Sequence, residues 1–220
     1  NRRNSYGGSA FYMLVFDNHP AWKGYPKRKH SVICSAMGGY QKSNQYADKG
    51  QYIMIPENGS IIAACKHNDM WSSFGNTLGL PSEEMLGAFV EALTVAFRMS
   101  GVQGSVDHSW NAATKAMRTF DKQIATWIRQ GYCDFGDGTR HTVTNTDEVG
   151  KAIFEQNVHN SANAMYWEGF KNWWIQYYKG NTMRAMGQGF DPNKNGFKLL
   201  KAGQRYPLGK EMWTEAKCLM

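Results

Sequence analysis

Two polar clusters near opposite ends of the chain carry the residue types that could do chemistry. Pro26-Lys27-Arg28-Lys29-His30 runs directly into Ser31-Val32-Ile33-Cys34-Ser35, and on an extended strand Ser31, Ile33 and Ser35 share one face. Cations that feed a strand bearing two hydroxyls suit a ligand with phosphates and hydroxyls of its own. At the other end, Lys210-Glu211-Met212-Trp213-Thr214-Glu215 sets two carboxylates beside an aromatic ring on the last expected strand.

Other groupings are less specific. Asp191-Pro192-Asn193-Lys194-Asn195-Gly196 matches the opening of a calcium-binding EF-hand loop, but Ala202 stands where the bidentate Glu belongs, and an Asx-rich turn explains the same residues. Asp134-Phe135-Gly136 lacks every companion motif of a kinase. His30, His67, His108 and His141 are scattered, Cys65-Lys66-His67 offers a metal only two ligands, and no metal is expected. Cys34, Cys65, Cys133 and Cys218 form no C-x-x-C pair, so they read as reduced thiols rather than bridges or zinc ligands.

The elements that must position these groups fall into three blocks of a single domain over 1-220: a strand-rich region 1-80, a helical region 81-180 and C-terminal strands in 181-220. In the first block Ala10 to Phe16 is a short apolar, aromatic-rich run that reads as a buried strand. Ser31 to Ser35 is a second strand. Gln51 to Pro56 and Ser60 to Cys65 flank Asn58-Gly59, the strongest short hairpin signal, and so read as paired strands.

From residue 82 the apolar period becomes 3.6. Ser82 is placed to cap a helix with Met85, Phe89, Leu93 and Ala96 on one face, closed by Ser100-Gly101. A second helix from near Ser105 to Gln130 carries the clearest stripe: Trp110, Ala113, Met117, Phe120, Ile124 and Trp127. Gly131 to Thr144 reads as an irregular loop. Thr146 to Lys179 reads as a helix broken near Asn157 to Asn163, with a second half too aromatic all round to stand free in water. Beyond Gly180 the chain reads as loop, then as extended at Phe197 to Lys201 and Met212 to Met220. The expected class is α+β, a small split or mixed sheet from N- and C-terminal strands with a large helical insertion between them.

Composition bounds the function. The 220 residues hold 25 Lys and Arg against 18 Asp and Glu, a net charge of +7 that favours polyanionic partners. No apolar run approaches the roughly 18 residues that would cross a bilayer. The expectation is a soluble protein without a membrane partner, in the cytoplasm or delivered into a host cytoplasm. The chain opens on Asn1 rather than Met, as a processed or trimmed product would.

The two terminal clusters together resemble an ADP-ribosyltransferase of the Arg-Ser-Glu type, found among bacterial toxins and phage proteins. The likeness rests on Tyr25 to Ser35, on Tyr52 to Cys65 ahead of Asp69-Met70-Trp71-Ser72-Ser73-Phe74, and on Glu211-Met212-Trp213. It covers about a third of the chain and leaves the helical middle unexplained. What the resemblance implies is NAD held as substrate in a groove of a split sheet, and a protein or nucleic-acid acceptor. It assigns Glu211 as the catalytic carboxylate with Glu215 as its rival, Ser35 (or Ser31) as the strand serine, and Arg28 with Ser31 and Tyr52 as NAD contacts. The family's first-strand Arg has no counterpart in Ala10 to Phe16, so Arg28, or Arg2 and Arg3, must stand in for it. Gly209 replaces the first Glu of the family's Glu-x-Glu motif, which directs transfer to arginine.

Two other classes compete with this reading. One is a nucleic-acid-binding protein that uses its basic surface and the aromatics Trp173, Trp174, Tyr177 and Tyr178 interleaved with Lys171 and Lys179. The other is a virion or assembly subunit whose aromatic helix packs on a partner chain.

Overall fold

The computed structural model describes residues 9–35, 53–67, 69–79, 84–104, 106, 108–158, 164–205 and 210–219. The chain is α+β: in sequence order, strands near both ends flank a helical middle. Its residues fall into two compact units, one within Phe16–Ser73 and Asp191–Met220, the other within Ser5–Val15 and Phe74–Phe190.

The first unit is built on a four-stranded antiparallel sheet of β1 (Val32–Ser35), β3 (Ile61–Ala64), β6 (Lys198–Lys201) and β7 (Glu211–Thr214), ordered β1-β7-β3-β6. β7, from the C-terminus, lies between two strands from the N-terminal third. A separate pair joins β2 (Ile55–Pro56) to β8 (Cys218–Leu219). Asn58-Gly59 does form a turn, with Gly59 at φ 79° and Ser60 N donating to Glu57 O at 3.1 Å. The flanking strands nevertheless do not pair with each other: β3 pairs with β6 and β7. The expected hairpin is therefore replaced by pairings remote in sequence.

Side-chain alternation gives this sheet two unlike faces. Ile62, Ala64 and Met212 are buried on one, with Cys34, Leu200 and Ala202 packed against them. Ser35, Ile33, Ala63, Glu211 and Trp213 share the other, since directly opposed residues point the same way: Ser35 faces Glu211, and Ile33 and Ala63 both face Trp213. Trp213 is buried against Phe197, whose ring also meets Trp22 at 5.0 Å. The Trp213 indole donates to Pro26 O at 2.9 Å, which ties the basic segment to the sheet.

The second unit is helical. It contains α2 (Gly75–Leu78), α3 (Glu84–Met99), α4 (Trp110–Gln130), α5 (Thr146–Val158), α6 (Ala164–Tyr177) and α7 (Thr182–Gly189). Along α4, Ala113, Met117, Phe120, Ile124 and Trp127 are all buried at three- and four-residue steps. Burying a ring such as Phe120 is worth about 2–3 kcal/mol, so this stripe anchors the unit. Ser109 caps α4 by accepting from Ala112 N at 3.2 Å, and Gly131 ends it at φ 82°, a left-handed conformation glycine adopts without strain. The helix starts at Trp110 rather than near Ser105. The expected cap of α3, Ser82, lies outside the described residues.

Tight packing joins α5 to α6. Gly150 is buried, and a β-carbon there would fall on the indole of Trp174, whose N–H donates to Thr146 O at 2.9 Å. Trp167, Phe170, Trp173, Trp174 and Tyr178 are all core residues of this unit. The aromatic surplus of this segment therefore fills the unit's interior and presents no stacking face at Trp173, Trp174 or Tyr178.

Three further sequence expectations are corrected. Ala10 to Phe16 is helical, within α1 (Ser9–Asn18), because Phe11, Tyr12, Val15 and Phe16 are buried at helical spacing. Gly131 to Thr144 holds a short hairpin, β4 (Tyr132–Asp134) with β5 (Arg140–Thr142). The segment after Gly180 begins with α7 instead of a loop. No described helix is long and apolar enough to cross a membrane.

Candidate functional site

A buried ion pair between Arg28 and Glu211 lies on the Ser35 face of the sheet. Arg28 opens a single 3-10 turn (Arg28–His30) that follows Pro26 and Lys27 and leads into β1. Asp17 holds this turn in place: its carboxylate accepts from Arg28 N at 2.7 Å and from Lys29 N at 3.3 Å. Burial raises the Asp17 pKa above the usual carboxylate value, partly offset by those amides. Nothing in the sequence pattern singles Asp17 out; its only signal is its place at the end of an apolar run.

The Arg28 guanidinium lies 5.2 Å from the Trp213 ring centre and 5.7 Å from that of Trp71, within the range of cation–π attraction. Its Nη2 lies 2.5 Å from Glu211 Oε1, and both side chains are 4 % exposed. The contact is close but poorly directed. Neither Glu211 Oε1 nor Arg28 Nη1 makes a well-formed hydrogen bond among the described residues, although both atoms are buried.

Glu211 is fixed by its backbone. Its N–H donates to His67 O at 3.2 Å, and its C=O accepts from Cys65 N at 3.0 Å. Cys65 Sγ lies 3.3 Å from the same carbonyl. The carboxyl also receives the Met70 amide. Burial raises its pKa above the ordinary glutamate value, the Arg28 charge works against that rise, and nearby Asp69 adds to it. Asp69 is itself held by accepting from Trp71 N at 2.8 Å. The contributions of Asp69, Met70 and Trp71 are legible only in part: the sequence marks this stretch as a motif without indicating that it packs against Glu211.

The site residues expected from sequence separate clearly. Arg28 and Glu211 are in contact, and Ser35 is the cross-strand partner of Glu211, half-buried on the same face. Ser31 is used locally, its hydroxyl donating to Lys27 O at 2.8 Å. Glu215 is exposed beyond the end of β7 and does not join the pair. Tyr52, Arg2, Arg3 and Gly209 lie outside the described residues. Among the described residues no group of three His, Cys, Asp or Glu side chains could hold a metal ion. Asp191 makes an Asx turn instead, accepting from Asn193 N at 2.8 Å and Lys194 N at 3.2 Å.

Chemically, the face offers a carboxylate, a guanidinium with an unengaged N–H, a hydroxyl and two indole rings. That set can hydrogen-bond a polar ligand and stabilise positive charge on a neighbouring atom. No family model, curated protein or solved structure matches the chain.

Proposed function

We propose that the chain transfers ADP-ribose from NAD to a macromolecular acceptor, with Glu211 as the carboxylate that stabilises the ribosyl cation. The observation that carries this reading is the meeting of Arg28, Ser35 and Glu211, from opposite ends of the sequence, on one face of the β1–β7 pair. The buried Nη1 of Arg28, which has no hydrogen-bond partner among the described residues, supports it as a donor for a ligand oxygen.

In such a reaction the bond from ribose C1′ to the nicotinamide nitrogen breaks, and its electron pair leaves with nicotinamide. An acceptor lone pair then closes on C1′ as its proton passes to solvent. Glu211 accepts the ribose 2′-hydroxyl and sets negative charge beside a carbon that is cationic only near the transition state. Arg28 donates to a ligand oxygen and orients the carboxylate, and the Ser35 hydroxyl lies across the strand pair to position both.

Incubation with NAD labelled in the adenosine half tests this directly. We expect free nicotinamide and labelled acceptor, with the rate falling roughly 10²–10³-fold in Glu211→Gln. Activity undiminished in that variant, or no nicotinamide from the wild type, removes the reading.

The near-complete burial of both charged side chains favours a second reading, in which the pair is a structural strut between the basic turn and the sheet. A Glu211→Gln variant that unfolds more easily, in a protein that never cleaves NAD, is the result expected of a strut.

A further inference from the structure

We infer that the outward face of α4 is a nucleic-acid-binding surface that grips the phosphate backbone. Its exposed cations Lys115, Arg118, Lys122 and Arg129 lie within about 60° of one another around the helix axis, at the 3.6-residue period. From Lys115 to Arg129 they extend about 21 Å along it. A duplex of that length carries about a dozen phosphate charges.

Acidic residues do not neutralise this stripe. Within α4 the one carboxylate, Asp121, is directed at α7, where it accepts from Thr182 N and Thr182 Oγ1. On α5, which also packs on α4, Asp147 pairs with Lys179, Glu155 pairs with Lys151, and Glu148 is bonded to Thr144. None of the four cations lies within 4.0 Å of a carboxylate oxygen among the described residues. Arg184, on the neighbouring α7, is also exposed and adds positive charge. At the N-terminal half of the stripe, a depression of about 420 Å³ is lined by three of the cations, Lys115, Arg118 and Lys122, with Asn111, Thr114 and Thr119. It has the size and the donors to receive a phosphate.

The chemistry of the face favours nucleic acid over other anionic partners. A membrane-surface helix must offer an apolar face to lipid, and the apolar face of α4 is consumed by Ala113, Ala116, Met117, Phe120, Ile124 and Trp127 in the core. A protein interface needs buried aromatic or aliphatic anchors, and the positions between the cations are Thr, Asn and Ala. A row of cations on one helix face, with hydroxyls and no anchor, matches sequence-independent phosphate contact.

Fluorescence anisotropy of a labelled 20-base-pair DNA duplex, and of a 20-nucleotide single strand, against salt tests the inference on the full chain. With four phosphates neutralised, log K for the duplex falls against log salt with a slope of about −3.6, roughly a hundredfold loss between 50 and 200 mM. The variant Lys115→Gln/Arg118→Gln/Lys122→Gln should bring the slope to about −0.9, while Lys115→Arg/Lys122→Arg keeps it. Circular dichroism confirms that the exposed substitutions leave the helices intact. Any of three results overturns the inference: no binding of either probe at 50 mM salt, an unchanged slope in the triple Gln variant, or binding to anionic vesicles but to neither nucleic acid.

Discussion

A guanidinium and a carboxylate each 4 % exposed are held at a cost that their attraction must offset. Removing one partner strands the other charge in the interior. Arg28→Met should therefore destabilise the protein by about 3–5 kcal/mol at neutral pH, and Arg28→Met/Glu211→Met should recover most of that loss, both read from urea unfolding. A double variant no more stable than the single one would mean that the guanidinium acts through its Trp71 and Trp213 contacts rather than through Glu211. The pH dependence tests the same pair from the other side. The Glu211 pKa is raised above 4.5 in the folded state, burial being the largest cause. The contribution of such a group is fully present below its unfolded pKa and is lost as pH rises through the folded value. The stability of wild type relative to Glu211→Gln should accordingly be greatest near pH 4 and decline on the way to pH 7. If it grew instead, pairing with Arg28 would outweigh burial.

Elements are joined in this fold by a few polar contacts that cross between them. Asp121 on α4 accepts from Thr182 N at 3.0 Å, from Thr182 Oγ1 at 2.6 Å and from Tyr178 OH at 3.1 Å, so one carboxylate satisfies the first amide of α7 from another helix. Asp121→Ala leaves those donors without a partner and should cost roughly 2–4 kcal/mol, seen as a lower urea midpoint and faster proteolysis around α7. This contact also shows why α7 escapes a sequence reading: its eight residues include two glycines, and its start is capped by Asn181 together with a residue 61 positions away. Where the signal is local and long, reading succeeds, as for α3 and α4; of the expected break near Asn157 to Asn163, residues 159–163 lie outside the described residues and Asn157 is helical. Where it is short and apolar, strand and helix look alike, and Ala10 to Phe16 takes the helical form that its buried 11, 12, 15 and 16 positions allow. Asn58-Gly59 specifies a turn but not the partners of the strands beside it, because register belongs to the whole sheet. Arg28, Ser35 and Glu211 were legible as residue types, but their convergence depends on β7 inserting between β1 and β3. The supporting Asp17 had no pattern to announce it, and Asp69 stood in a stretch the sequence marks without indicating what it packs against.

Across the whole molecule, four free thiols are distributed so that each compact unit contains a fully buried one: Cys65 beside β3 in the first and Cys133 on β4 in the second. Burial pushes both up to about 12, and Cys34 to about 11, so at pH 8 almost none of these three is thiolate. Cys218, half-buried near the end of the chain, is raised as well. Native protein should thus react slowly with a thiol reagent, and all four cysteines should react at once in 6 M guanidinium. Mass spectrometry of labelled peptides over time separates the sites. Because Cys65 N donates to Glu211 O, exposure of Cys65 requires the β3–β7 edge to open. Arg28→Met, which weakens that strand's anchoring by about 3 kcal/mol, should accelerate Cys65 labelling about a hundredfold where labelling follows the open population. Cys133 is the internal comparison: a smaller acceleration there is the expected result, and equal acceleration of both thiols would mean that the chain opens in one cooperative step. No change at Cys65 would show that the Arg28–Glu211 pair does not hold the sheet closed, and would leave ligand contact as the remaining use for two charges buried so deeply.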